Sequence, residues 1–492
     1  MRWKLYWLLL LVAVALFPDT VPSINAQQAI PRFGQTACKF DVPRETNVDC
    51  GYLVVPEDRT QSSNRLVSVG QGQAVQANTR TIRVFVARFH AKNPHPELAP
   101  IVFLDGGPGV HSLDWTVKTR PLEFVLQLAI DHELIMFDQR GTGHSEPALD
   151  CPEVAQFDYS VLDKNSQSQV IAQQYNAALR ACHDRLIGQG INLAAYSTPA
   201  SAADVNDLQQ VLGYKTWNLY GVSYGTRLAQ SMMLQFPQGI RSVVLDSTLV
   251  GLLGAPDFNR RSPFNVLFDG CAKSQTCNAA YPNLPAVFDH LVKQLNQQPV
   301  LVSIQHPFTG QPYELLLTGD ELQSGLFWGL YSTRRIPILP KLIFDAHYGD
   351  YTGLAQLAFE NNVVLSDEYI SQGMNLSVNC IDQFSNGLCR QWLGNIPTPA
   401  RSRTVTSDLP TLVLGGEYDP VTPPDYSKTV TNTLKNSVFF EFPGTGHEAA
   451  FSGQCPMNIV LAFLAEPTQH PDASCISTMH EPDFVVPIVV SF

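Results

Sequence analysis

Three short polar motifs, each set just after an apolar run, hold residue types that can do covalent chemistry together. The first is Gly221-Val-Ser-Tyr-Gly225, which follows Thr216-Trp-Asn-Leu-Tyr220 and opens a helical pattern, Thr226-Arg-Leu-Ala-Gln-Ser-Met-Met233. A strand, a G-x-S-x-G turn and a helix hold the serine at the tip of a bend so tight that the residues two before and two after it must lack side chains. The positive end of the following helix favours negative charge developing there.

A serine hydroxyl is a weak nucleophile until a base takes its proton and an acid orients that base. Two later runs supply both. Thr411-Leu-Val-Leu414 leads into Gly415-Gly-Glu-Tyr-Asp419-Pro-Val-Thr-Pro-Pro424, and Ser437-Val-Phe-Phe-Glu-Phe442 leads into Pro443-Gly-Thr-Gly-His447-Glu448. The order Ser223, Asp419, His447 matches a nucleophile, acid and base on an open α/β sheet, whose ligands gather beyond the carboxyl ends of the strands. Asp419 is preferred to Glu417 as the acid because it lies deeper in the loop, ahead of prolines that fix its exit. Acyl transfer also needs donors for an oxyanion. Asp105-Gly-Gly-Pro-Gly109, after Pro100-Ile-Val-Phe-Leu104, permits close backbone approach, so the Gly107 amide is expected to join that of Tyr224. Asp138-Gln-Arg-Gly-Thr-Gly-His-Ser145 reads as a structural turn in which Arg140 or Asp138 caps neighbours.

The elements that must position these groups are short, nearly all-apolar strands alternating with helices. Besides those above, Glu133-Leu-Ile-Met-Phe137 and Arg241-Ser-Val-Val-Leu245 fit parallel strands covered on both faces. Thr198-Pro199 starts a helix carrying Val205, Leu208, Val211 and Leu212, and Gly213 stops it. Gly51–Val55 and Thr81–Arg88 read as strands near the start. The pattern implies an α/β fold with a mostly parallel, doubly wound sheet. Residues 249–405 break the alternation and read as a mainly helical cap subdomain over the carboxyl edge. The expected division is therefore 1–26 as a signal peptide, 27–248 as the first part of the core, 249–405 as the cap, and 406–492 as the rest of the core.

The chain has 492 residues, 15% of them charged, and a formal net charge of −12. That balance gives no global support to a nucleic-acid surface. No P-loop and no G-x-G-x-x-G before a helix is present, so no nucleotide cofactor is implied. No C-x-x-C, HExxH or His/Cys cluster points to a metal.

Arg2 and Lys4 precede an apolar run from Leu5 to Phe17, and Ile24-Asn25-Ala26 offers a cut after Ala26. This is the pattern of a secretory signal peptide. Thirteen residues make only about 20 Å of helix, short of a membrane core. With no later run of 18 apolar residues, stable membrane insertion after signal removal is not expected. The location expected is secreted or periplasmic, where disulfides form. Cys38, Cys50, Cys151, Cys182, Cys271, Cys277, Cys380, Cys389, Cys455 and Cys475 allow about 945 pairings, but they fall into five local couples. Five sequential bridges are expected, each contributing roughly 2–4 kcal/mol.

Taken together, Gly106-Gly-Pro-Gly109, Asp138–Ser145 and Gly221-Val-Ser-Tyr-Gly-Thr226 resemble the prolyl aminopeptidase family of α/β-hydrolase serine peptidases. More narrowly they resemble its secreted, tripeptidyl-aminopeptidase-like branch. Cys50-Gly-Tyr-Leu-Val-Val-Pro-Glu-Asp-Arg59, Gly415-Gly-Glu-Tyr-Asp-Pro-Val-Thr-Pro423, Asp472-Ala-Ser-Cys475 and Pro482-Asp-Phe484 extend the likeness over about residues 36–485. One departure is Asp105, where the shorter prolyl enzymes carry histidine. The resemblance implies an α/β-hydrolase fold, Ser223, Asp419 and His447 as a triad, and Gly107 with Tyr224 at an oxyanion hole. It also implies release of residues from free peptide N-termini.

A pocket for an α-ammonium needs a carboxylate partner. Among the cap acids Asp320, Glu321, Asp367, Glu368 and Asp382, the choice falls on Asp382, next to Cys380. The reading is a secreted serine aminopeptidase acting on short peptides through an acyl-enzyme, without cofactor or metal. The alternatives are an esterase or amidase for other acyl substrates, and a catalytically silent binding protein on the same fold. Asn375-Leu-Ser377 is a glycosylation acceptor only in a host that glycosylates.

Overall fold

The computed structural model describes residues 30–60, 80–95, 97–249, 263–382, 387–394 and 404–487. Residues 1–26, read above as a signal peptide, lie outside them. Eleven strands are described. They are β1 (Arg32–Thr36), β2 (Val48–Pro56), β3 (Thr81–Phe89), β4 (Ile101–Leu104), β5 (Leu134–Phe137), β6 (Trp217–Val222), β7 (Ile240–Asp246), β8 (Val300–Gln305), β9 (Pro312–Leu317), β10 (Thr411–Gly416) and β11 (Ser437–Phe442). Nine of them form one sheet in the order β1-β2-β3-β5-β4-β6-β7-β10-β11. β1, β2 and β3 pair antiparallel, as do β3 and β5, and the remainder of the sheet is parallel.

The apolar runs suit this sheet because side chains alternate between two covered faces. In β4, Ile101 and Phe103 enter one hydrophobic cluster with Tyr220, Val244 and Leu412. Val102 and Leu104 enter the opposite one with Leu219, Val243 and Val413. The helix Thr198–Leu212 covers one face and stops at Gly213, whose φ of 78° is left-handed. Its cap is Ser197, not Thr198: the Ser197 hydroxyl accepts from the Ala200 amide, which frees Thr198 for another contact.

Residues 263–382 hold mostly helices but also the antiparallel hairpin β8–β9, so the segment is not helical throughout. The alternating burial of Val300–Gln305 marks a strand with one face covered. The segment assembles a core of its own, from Leu267 to Val364, which reaches the rest of the fold at Leu162, Tyr418 and Phe484.

All ten cysteines pair with their sequence neighbours: Cys38–Cys50, Cys151–Cys182, Cys271–Cys277, Cys380–Cys389 and Cys455–Cys475. Their Cα separations of 5.1–5.8 Å suit the bond. Among the described residues no helix is long and apolar enough to cross a membrane.

Candidate active site

Ser223 stands between β6 and the helix Tyr224–Gln235, with φ 55° and ψ −123°. That conformation costs a non-glycine residue about 1–3 kcal/mol and persists only where the surroundings impose it. Here they do. A Cβ on Gly225 would lie 1.7 Å from the Leu104 carbonyl oxygen, and one on Gly221 would lie 2.6 Å from the Gly225 oxygen. The two glycines let the helix start directly against β4 and β6. The Ser223 amide donates to the Asp246 carbonyl at the end of β7, 3.0 Å away.

Asp419 and His447 meet beyond β10 and β11. The imidazole Nδ1 lies 2.7 Å from Asp419 Oδ2, and both side chains are fully buried. The other Asp419 oxygen accepts from the Val421 and Thr422 amides, and the Thr422 hydroxyl donates to Oδ2 at 2.6 Å. Burial works against the charged carboxylate, but His447 and these donors outweigh it and hold Asp419 below its usual range. Burial likewise disfavours the imidazolium. The charge and hydrogen bond of Asp419, followed by the charges of Glu448 and Asp246, overcome it, so His447 titrates above an ordinary histidine. Glu417 takes no part in this pair; its carboxylate accepts from the Gly444 amide.

The same strand end that anchors Ser223 anchors the histidine loop. The Asp246 carboxylate accepts from the Ala449 and Ala450 amides at 2.9 and 3.0 Å, and Ser247 Oγ accepts from the Glu448 amide. Burial pushes Asp246 up to about 7. His447 Nε2 is buried and bonds to no described group, Ser223 Oγ included.

The glycine loop after β4 closes against Ser223. A Cβ on Gly106 would stand 3.0 Å from the Ser223 Cβ. The Gly106 amide is occupied by the Asp105 carboxylate at 2.7 Å. The Gly107 amide, at φ 102°, is the next donor along the loop. Tyr224, as the first helical residue, has an amide with no partner inside the helix. Residues 369–375 hold this loop in place. The His111 amide donates to Tyr369 O, the Ser371 amide to Gly109 O, and Asn375 Nδ2 to Pro108 O at 2.8 Å.

Several residues stand differently from their sequence reading. Asp382 is buried, and its carboxylate accepts from the hydroxyl of Thr198, which also bonds the Tyr224 hydroxyl. Burial pushes it up to about 6, while Thr198 and Arg227 pull the other way. Through Thr198 it is linked to Tyr224, the first residue of the helix after Ser223. The other cap acids scatter: Asp320 and Glu321 bond Gln167, Asn296, Ser166 and Asn362. Asn375 has its side-chain nitrogen bonded to Pro108 and its oxygen to Asn379, so the acceptor triplet is a loop support. In the turn after β5, Asp138 caps the Leu113 and His144 amides, and Arg140 makes a bidentate pair with Asp204.

Sequence reasoning passed over Thr422, Arg120, Glu448 and Tyr331. Glu448 is visible as the neighbour of His447, and Thr422 lies within the acid loop. Arg120 and Tyr331 carry no local signal, because only folding brings them here. The Tyr331 ring stacks on the imidazole at a centroid distance of 4.2 Å, and its carbonyl accepts from the His447 amide.

A doubly wound sheet with a strained serine elbow, a strand-end carboxylate–imidazole pair and a glycine loop beside them defines the α/β-hydrolase class. Residues 99–454 match the family described as alpha/beta hydrolase fold, and the chain belongs to that family. It is similar to the serine protease Hip1 of Mycobacterium tuberculosis, 24% identical over 520 residues and covering 92% of each chain. It is 26% identical over 512 residues to carboxylesterase B of the same species, covering 92% of this chain and 94% of that one. A tripeptidyl aminopeptidase of Streptomyces coelicolor is 26% identical over 223 residues, 43% of this chain and 37% of its own.

Proposed function

We propose that this chain is an exported serine aminopeptidase that cleaves short peptides near their free N-termini through an acyl-enzyme. The observation that carries the reading is the buried 2.7 Å contact between His447 Nδ1 and Asp419, on the same strand ends as the strained Ser223. Ser223 Oγ attacks the scissile carbonyl carbon while His447 Nε2 takes its proton. Asp419 fixes the tautomer and stabilises the imidazolium. The Gly107 and Tyr224 amides receive the oxyanion. The imidazolium returns its proton to the leaving amine, the C–N bond breaks, and water then hydrolyses the ester by the same route.

The peptidase assignment draws on two relatives, one named a serine protease and one a tripeptidyl aminopeptidase. Export is supported by five disulfides and by the apolar run after Arg2 and Lys4. An esterase on non-peptide acyl groups is the second reading, favoured by the relative named carboxylesterase B. Two experiments test the proposal. A fluorophosphonate should label the wild type and not Ser223→Ala. Aminoacyl- and tripeptidyl-anilides should be cleaved faster than their N-acetylated forms; efficient turnover of simple acyl esters with no anilide cleavage would select the esterase.

A further inference from the structure

We infer that Arg120 is a positioning residue that clamps the oxyanion-side loop to the histidine loop and offsets the negative charge beside His447. The inference rests on the proposed roles of Ser223 and His447. Arg120 follows the helix Ser112–Lys118 and is buried. A guanidinium has five N–H donors in a planar fork, and here it makes five hydrogen bonds. Nη1 donates to Asp105 Oδ2 at 2.8 Å and to Thr116 Oγ1 at 2.8 Å. Nη2 donates to Asp105 Oδ1 and to Glu448 Oε1, both at 2.7 Å, and Nε donates to Glu448 Oε2 at 2.8 Å. The cation also lies over the Phe103 ring, 5.2 Å from its centroid.

The two carboxylates it joins belong to the two loops that the proposed chemistry uses. Asp105 begins the glycine loop and accepts from the Gly106 amide, so its position sets where the loop turns toward Gly107. Glu448 follows His447 directly and sits at a left-handed φ of 61°. The loops leave different strands, β4 and β11, and no backbone hydrogen bond is described between them. Arg120 spans the gap with a fork on each side. A buried ion network of this kind is weak evidence for stability, and its best-attested use is fixing geometry. Asp105, where the resembling prolyl enzymes have histidine, provides the second bidentate acceptor.

Charge is the second consequence. The groups facing His447 are Asp419 from the β10 loop, Asp246 from the end of β7, Glu448 beside it, and Tyr331 stacked on its ring. Arg120 is the cation set against Glu448 and Asp105. The charge of Glu448 raises the proton affinity of His447, so removing Glu448 should lower it, and removing Arg120, the cation paired with Glu448, should raise it.

The test compares wild type, Arg120→Lys, Arg120→Met and Glu448→Gln on p-nitrophenyl acetate, with thermal unfolding measured alongside. Arg120→Lys keeps the charge and loses the fork. It should lose at least about tenfold in kcat, with KM and the acid limb of the pH profile little changed. Glu448→Gln should move the acid limb of kcat/KM down by about half a unit or more, and Arg120→Met should move it up. If Arg120→Met does not fold, the other two variants decide. Folded Arg120→Lys and Glu448→Gln with wild-type kcat and an unshifted limb would overturn the inference, as would lost thermal stability alone. Ser223→Ala retaining full activity would instead remove the triad reading on which the inference stands.

Discussion

The ring of Tyr331 stacks on the imidazole of His447 at 4.2 Å between centroids and 29° between planes. Tyr331 closes the helix Gly319–Tyr331, while His447 lies beyond β11 of the sheet. The Gly446 amide donates to Thr333 Oγ1, and the His447 amide donates to the Tyr331 carbonyl. Residues 331–333 therefore hold the loop of His447 as well as covering its ring.

Replacing Tyr331 by alanine removes an aromatic contact worth about 0.5–1.5 kcal/mol, equivalent to roughly two- to tenfold in rate if the histidine drifts. Tyr331→Ala should lower kcat by that factor, and Tyr331→Phe should keep the wild-type rate. Steady-state kinetics on one chromogenic ester is sufficient to compare them.

Asp419→Asn leaves the loop nearly isosteric but removes the charge that stabilises the imidazolium. A loss of about 10⁴ in kcat is expected by analogy with other serine triads. Glu417→Gln, whose carboxylate serves only the Gly444 amide among the described contacts, should stay within about threefold of wild type. Equal losses in the two variants would contradict the assignment of the acid.

Gly225→Ala places a methyl group against the Leu104 carbonyl, a backbone atom that cannot rotate away. Overpacking typically costs about 1–3 kcal/mol, and at the elbow it also displaces the serine. The variant should fail to react with a fluorophosphonate even in the fraction that folds. Circular dichroism and labelling on one preparation separate the two effects.

Asp382 binds its proton more tightly when folded, since burial pushes it up to about 6. Its contribution favours the folded state most below pH about 4 and is lost as pH rises to about 6. The loss is on the order of 3 kcal/mol at most. Denaturant melts of Asp382→Asn should show a weaker fall in stability across that window. Its ratio of free to N-acetylated anilide cleavage should match the wild type, because the carboxylate bonds Thr198.

The Cys151–Cys182 bridge closes 31 residues between two helices. Chain entropy puts its contribution at about 3–4 kcal/mol. The Cys151→Ala/Cys182→Ala pair should lower the urea midpoint accordingly, measured against wild type under oxidising conditions.

The sequence alone marked the strands that make up most of the sheet and set the candidate residues at their ends. Apolar runs bounded by glycine and proline marked β4, β5, β6, β7, β10 and β11 within a residue or two, because strands covered on both faces leave little room for polar residues. Gly221 and Gly225 marked the elbow because backbone atoms occupy the space their side chains would need. The local cysteine couples suggested the pairing for a similar reason, since short loops close first. Only the tertiary structure decided what Arg120, Tyr331 and Asp382 do. Arg120 meets Glu448 across 328 positions, and Thr198 meets Asp382 across 184, distances at which neither periodicity nor motif carries information. Asp382 looked available beside a cysteine; folding buried it against Thr198, with Arg227 as a charged neighbour.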